Sequence, residues 1–109
     1  MERGFKLTVG ASIAISKLCP DGDISRIGEI LEGKNYADTV QTSSAIIIAL
    51  SEGYEKSKRY EDSTYKPNPL TMDDILSMPP DDFKELQLEA FKAFRSDAKP
   101  SVELETPKK

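Results

Sequence analysis

Ala45-Ile46-Ile47-Ile48-Ala49-Leu50 lies inside the stretch that runs from Asn35 to Tyr60. At 100° per residue these six side chains step around the whole circumference of a helix, so the helix is apolar on every side and belongs at the centre of the fold. Asn35 is a suitable N-cap and Asp38 suits the positive end of the helix dipole. The helix is predicted to reach about Tyr60, some 26 residues or roughly 39 Å. Its last turns, Glu55-Lys56-Ser57-Lys58-Arg59-Tyr60-Glu61-Asp62, alternate in charge and are expected to leave the core for water.

Working outward, Leu7 to Leu18 alternates like a strand and also carries a helical stripe of Leu7, Ala11, Ala14, Ile15 and Leu18. Helix is the choice, because no second strand exists to pair with it. Pro20-Asp21-Gly22 ends it, and Asp23 caps a short helix with Ile24, Ile27, Gly28 and Leu31 on one face and Gly33 at its C-terminal end. Beyond the central helix, Tyr65-Lys66-Pro67-Asn68-Pro69 reads as a non-helical connector. Thr71 with Asp74 forms a capping-box variant that opens a short helix through Met78. Pro79-Pro80 stops that helix, and Pro80-Asp81-Asp82 starts a last one that continues to about Ser96. The expected fold is therefore all-α, four to five helices in a single domain over residues 1–96, with a disordered tail over 97–109.

The chain of 109 residues has 15 Lys plus Arg against 19 Asp plus Glu, a net charge of -4, no His and one Cys. A net acidic chain carries no electrostatic footprint for nucleic acid, so a protein is the expected partner. The absence of His removes the commonest general base and the usual Zn, Cu and haem ligand sets. The lone Cys19 is read as a small buried hydrophobe in a reducing compartment. The most apolar window is six residues, where a membrane span needs about 20, and the N-terminus lacks a signal-peptide run, so a soluble protein is expected.

Two clusters resemble chemical sites. Asp21, Asp23, Ser25, Glu29 and Glu32 take loop positions of a calcium-binding EF-hand, but Arg26 stands where that loop needs glycine and Gly28 where it needs an apolar residue. A capped helix explains them better. Asp73-Asp74 and Asp81-Asp82 each lie at a helix start, where the dipole and free N–H groups hold both carboxylates ionised, unlike a catalytic acid/base pair. No nucleophile with a base and no phosphate loop accompanies them, so neither enzymatic activity nor a cofactor is expected.

On the last helix, Phe83, Leu86, Ala90, Ala93 and Phe94 fall within about 100° and form the core stripe. Leu88 and Phe91 stand outside it, roughly 60° apart, with Lys84 and Arg95 beside them. They are either the edge of a wide core stripe or a partner-binding face, and these four residues are the candidate site.

Lys17-Leu18-Cys19-Pro20-Asp21-Gly22-Asp23, Leu70-Thr71-Met72-Asp73-Asp74-Ile75-Leu76, Phe83-Lys84-Glu85-Leu86 and Ala90-Phe91-Lys92-Ala93-Phe94 together resemble the tail assembly chaperones of tailed bacteriophages and prophages. The resemblance covers roughly residues 6 to 96. It implies a small helical, non-virion protein of the bacterial host cytoplasm that binds the tape-measure protein, keeps it soluble and helps tail-tube subunits assemble. It also implies that a longer, frameshifted form is often made, and Lys108-Lys109 is compatible with an A-rich slippery site. Self-association is left open. The rival is a small phage regulatory or DNA-associated module, with Asp23 to Glu32 and the helix from Asn35 as a helix-turn-helix. Against it, the second helix opens with Tyr36, Ala37, Asp38, Thr39 and Gln41, carries no Arg there, and places Asp38 where phosphates would lie.

Overall fold

The computed structural model describes residues 4–31 and 35–105, the last nine of these as backbone alone. The fold is all-α: α1 (Val9–Ser16), α2 (Ile27–Leu31), α3 (Tyr36–Glu61), α4 (Met72–Leu76) and α5 (Pro80–Glu105), with single tight turns of helix at Pro20–Gly22 and Ile24–Arg26. Among the described residues there is no strand. α3 is the axis against which α1, α2, α4 and α5 all pack.

The central position of α3 follows from its apolar belt. Ile46, Ile47 and Leu50 are fully buried and Ala49 nearly so. Ile15 of α1, Ile75 of α4, and Leu86 and Ala90 of α5 meet that belt in one cluster, with Cys19 and Leu70. Burial pushes the Cys19 thiol upward from its ordinary pKa, and the nearby Asp23 carboxylate adds to the effect. The helix begins at the expected cap, where the Asp38 N–H donates to Asn35 Oδ1 at 2.8 Å.

α1 is shorter than the apolar pattern suggested. Thr8 is its N-cap and accepts from the Ala11 N–H at 3.1 Å, so Leu7 stays in the extended segment before it. That segment lies along α3, and the Lys6 N–H donates to the Leu50 carbonyl at 3.1 Å. The approach is close enough to require glycine at Gly53, where a Cβ would overlap the Lys6 backbone carbonyl oxygen; at Gly4 a Cβ would meet only the Tyr54 ring, which can rotate aside.

The turn after α1 carries positive φ at Asp21 (58°) and Gly22 (69°), the left-handed region these residue types tolerate. Asp23 then accepts from the Ser25 N–H at 3.0 Å, capping a tight turn rather than α2 itself. Ile24, Ile27 and Leu31 pack against the core as expected, whereas Gly28 is exposed. The expected cap at Gly33 lies outside the described residues.

The capping box of α4 is complete. Thr71 Oγ1 accepts from the Asp74 N–H at 3.1 Å and Asp74 Oδ2 accepts from the Thr71 N–H at 3.0 Å. The helix ends at Leu76, two residues before Met78. α5 starts at Pro80, as expected, and its described backbone continues to Glu105, with side chains described as far as Ser96. Residues 106–109 lie outside the described residues.

One expectation for α3 is corrected. Glu55 does not leave the core with the charged turns around it but is buried, at 8% exposure. Its carboxylate accepts from the Tyr65 hydroxyl and from the Asn68 N–H at 3.0 Å. One turn earlier the buried Ser51 hydroxyl accepts from the Leu70 N–H at 2.9 Å. The connector therefore runs back along α3, and its alternation Pro67-Asn68-Pro69-Leu70 fits the task. In an extended chain the N–H groups of residues 68 and 70 point the same way, and the prolines between have none to leave unpaired.

Candidate partner-binding face

α5 is fixed to α3 by Leu86 and Ala90 in the core and by Gln87, whose Nε2 donates to the buried Ser43 hydroxyl at 3.0 Å. This sets the rotation of α5 about its axis and hence what faces water. Leu88 is 70% exposed, with Lys84 and Arg95 also exposed on the same side. Phe91, about 60° away around α5, lies toward the core. It is half-buried and packs on the edge of the core with Phe83 and Phe94, so the expected apolar strip is divided between surface and interior. A wide core stripe describes Phe91, and an uncovered apolar side chain describes Leu88.

Leu88 borders a groove of about 720 Å³ between the first half of α5, the end of α3, the connector and the N-terminal segment. Asp82, Glu85 and Glu89 line it from α5; Tyr54, Glu55 and Lys58 from α3; Tyr65 from the connector; Gly4 and Phe5 from the N-terminus. The Lys58 ammonium lies 5.4 Å from the centre of the Tyr54 ring and 5.7 Å from that of Tyr65, within cation–π range of both. Sequence reading missed this groove because its walls come from segments far apart in the chain. The one local signal was the acidic spacing of Asp82, Glu85 and Glu89, which places all three within about 60° on α5.

A second depression, of about 520 Å³, has Leu18, Ile30 and Ala45 among its walls, with Glu29, Asp38 and Gln41 also lining it. α1 adds uncovered apolar surface elsewhere, with Val9 77% and Ile13 51% exposed.

The EF-hand-like cluster is built otherwise. The Arg26 guanidinium donates to Glu29 through Nε at 2.8 Å and Nη2 at 2.9 Å, and to Asp21 through Nη1 at 2.9 Å. It thus stands as the counter-charge to two of the carboxylates at the EF-hand-like spacing. The pairing holds the Glu29 carboxyl below its ordinary pKa, and hydrogen bonds from Ser25 do the same for Asp23. Among the described residues no group of His, Cys, Asp and Glu is placed to hold a metal ion, and no helix is long and apolar enough to cross a membrane. Comparison of the chain with protein-family models, with curated proteins and with solved structures found no match.

Proposed function

We propose that this protein is a tail assembly chaperone of a bacteriophage or prophage, acting by binding rather than catalysis. In the host cytoplasm it covers apolar helical surface of the tape-measure protein until tail-tube subunits enclose it. The observation that carries the reading is Leu88, 70% exposed on α5 between Lys84 and Arg95 and beside a groove. An exposed leucine at the rim of a groove supports a partner-binding reading, and the surrounding charge keeps the free protein soluble. A tape-measure chain exposes long apolar helical surface before assembly and would aggregate without such a cover.

The test is co-expression with a tape-measure protein from the same genome. Leu88→Ser is expected to leave helicity and melting temperature unchanged, since an exposed substitution alters stability by less than about 0.5 kcal/mol. It should abolish co-purification of the tape-measure protein. Undiminished co-purification by a folded Leu88→Ser protein refutes Leu88 as the anchor, and failure of the unsubstituted protein to retain any tape-measure protein refutes the chaperone reading.

A further inference from the structure

The groove beside Leu88 has the chemistry of a receptor for a cation. Asp82, Glu85 and Glu89 line one wall of it from a single stripe of α5. Among the described residues none of the three has an ion-pair partner; the ion pairs there belong to Arg26. Like charges spaced three and four residues apart on a helix repel one another. The dipole of α5 offsets this for Asp82 in the first turn but fades before Glu89 in the third. Opposite them the two tyrosine rings present π faces, and the ammonium of the exposed Lys58 already rests against both. A cation therefore has a place here, now taken by the side chain of the exposed Lys58.

We propose that this groove receives a lysine or arginine side chain from a basic, helical segment of a partner protein. The incoming cation displaces Lys58 from Tyr54 and Tyr65 and faces Asp82, Glu85 and Glu89, while an apolar residue one turn away on the partner covers Leu88. The inference rests on the chaperone reading for the identity of the partner and adds its chemistry. The bound segment must carry its cation where it faces Asp82, Glu85 and Glu89, and an apolar rather than a basic residue where it covers Leu88 between Lys84 and Arg95.

The test is fluorescence anisotropy with a labelled helical peptide of Lys-Leu-Ala-Ala-Lys repeats, and with the same peptide carrying Glu for Lys. Saturable binding is expected for the first and none for the second. Glu85→Gln with Glu89→Gln should weaken it about tenfold, because two partner charges are removed where the cation lies. Glu52→Gln with Glu61→Gln removes equal charge from α3 outside the groove and should change it less than about twofold. Lys58→Met should tighten binding about two- to fivefold by vacating the rings, whereas Lys56→Met, on the same helix but outside the groove, should not. Equal effects within either matched pair, or no saturable binding of the lysine peptide, overturn the proposal. If the tape-measure protein is still retained when Glu85 and Glu89 are neutralised, the basic-segment inference fails while the chaperone reading stands.

Discussion

Replacing Gly53 with alanine sets two effects of opposite sign against each other. In an ordinary exposed helix Gly→Ala stabilises by about 1 kcal/mol, because alanine has the higher helix propensity. Gly53 is in the interior of a 26-residue helix, so that gain is available in full. The added Cβ, however, would overlap the Lys6 carbonyl oxygen and stand 3.0 Å from Thr8 Oγ1 and 3.2 Å from Ala11 Cβ. The first of these is backbone, which cannot rotate aside as a side chain would. Relief requires the segment before α1 to lift off α3, with overpacking costs of about 1 to 3 kcal/mol. Lifting also stretches the Lys6 to Leu50 hydrogen bond, whose net contribution is about 1 kcal/mol. The balance is a destabilisation of about 1 to 3 kcal/mol, or a melting temperature lower by roughly 5 to 15 °C for a domain of this size. Urea unfolding followed by circular dichroism measures it, with Ser57→Ala on the same helix as a control outside this contact. A Gly53→Ala protein as stable as the parent, or more so, would show that the N-terminal segment does not rest on α3.

Glu55→Ala should destabilise by about 2 to 3 kcal/mol, since it leaves the Tyr65 hydroxyl and the Asn68 N–H without their acceptor; equilibrium denaturation unchanged from the parent would refute the pinned connector. Ile47→Asp places an unpaired carboxylate at a fully buried position, at a cost comparable with the whole stability of about 5 to 15 kcal/mol, and should give insoluble or unfolded protein; a soluble, cooperatively melting variant would move that face of α3 to the surface. The depressed carboxyls of Asp23 and Glu29 contribute stability that is complete above their ordinary values of 3.8 and 4.5 and is lost as pH falls through their lower folded values. Removing the guanidinium in Arg26→Met should flatten the acid limb of the melting temperature between pH 5 and 3 relative to the parent, and superimposable acid limbs would refute it.

Features encoded by a few adjacent residues were legible in the sequence. Asn35 and Thr71 cap where their side chains meet a backbone N–H three residues on, a geometry that needs no tertiary partner. The apolar belt of α3 placed that helix at the centre because the six side chains from Ala45 to Leu50 spread over the whole circumference and cannot all be covered by one neighbour. Gly53 and Glu55 were not legible, since each is explained by chain that returns from elsewhere, the segment around Lys6 in one case and Asn68 in the other. The candidate site was half legible. Angular arithmetic puts Leu88 and Phe91 beside each other, but the boundary between core and water passes between them, and it is set by how α3 holds Gln87 and Leu86. The acidic wall could be counted along α5, whereas the tyrosines opposite it depend on the path of the connector.

The docking of the N-terminal segment on the end of α3 has a consequence for synthesis on the ribosome. Lys6 cannot find its acceptor until Leu50 has been made and has left the exit tunnel, and α1 cannot find its seat until Gly53 follows. Throughout that interval a nascent helix with no charged residue from Val9 to Ser16 is exposed to whatever else is nearby. A stall before Leu50 leaves it with nothing to lie on, and the product is a sticky fragment rather than a partial domain. The order in which the chain emerges thus makes α3 the element on whose arrival the solubility of α1 depends.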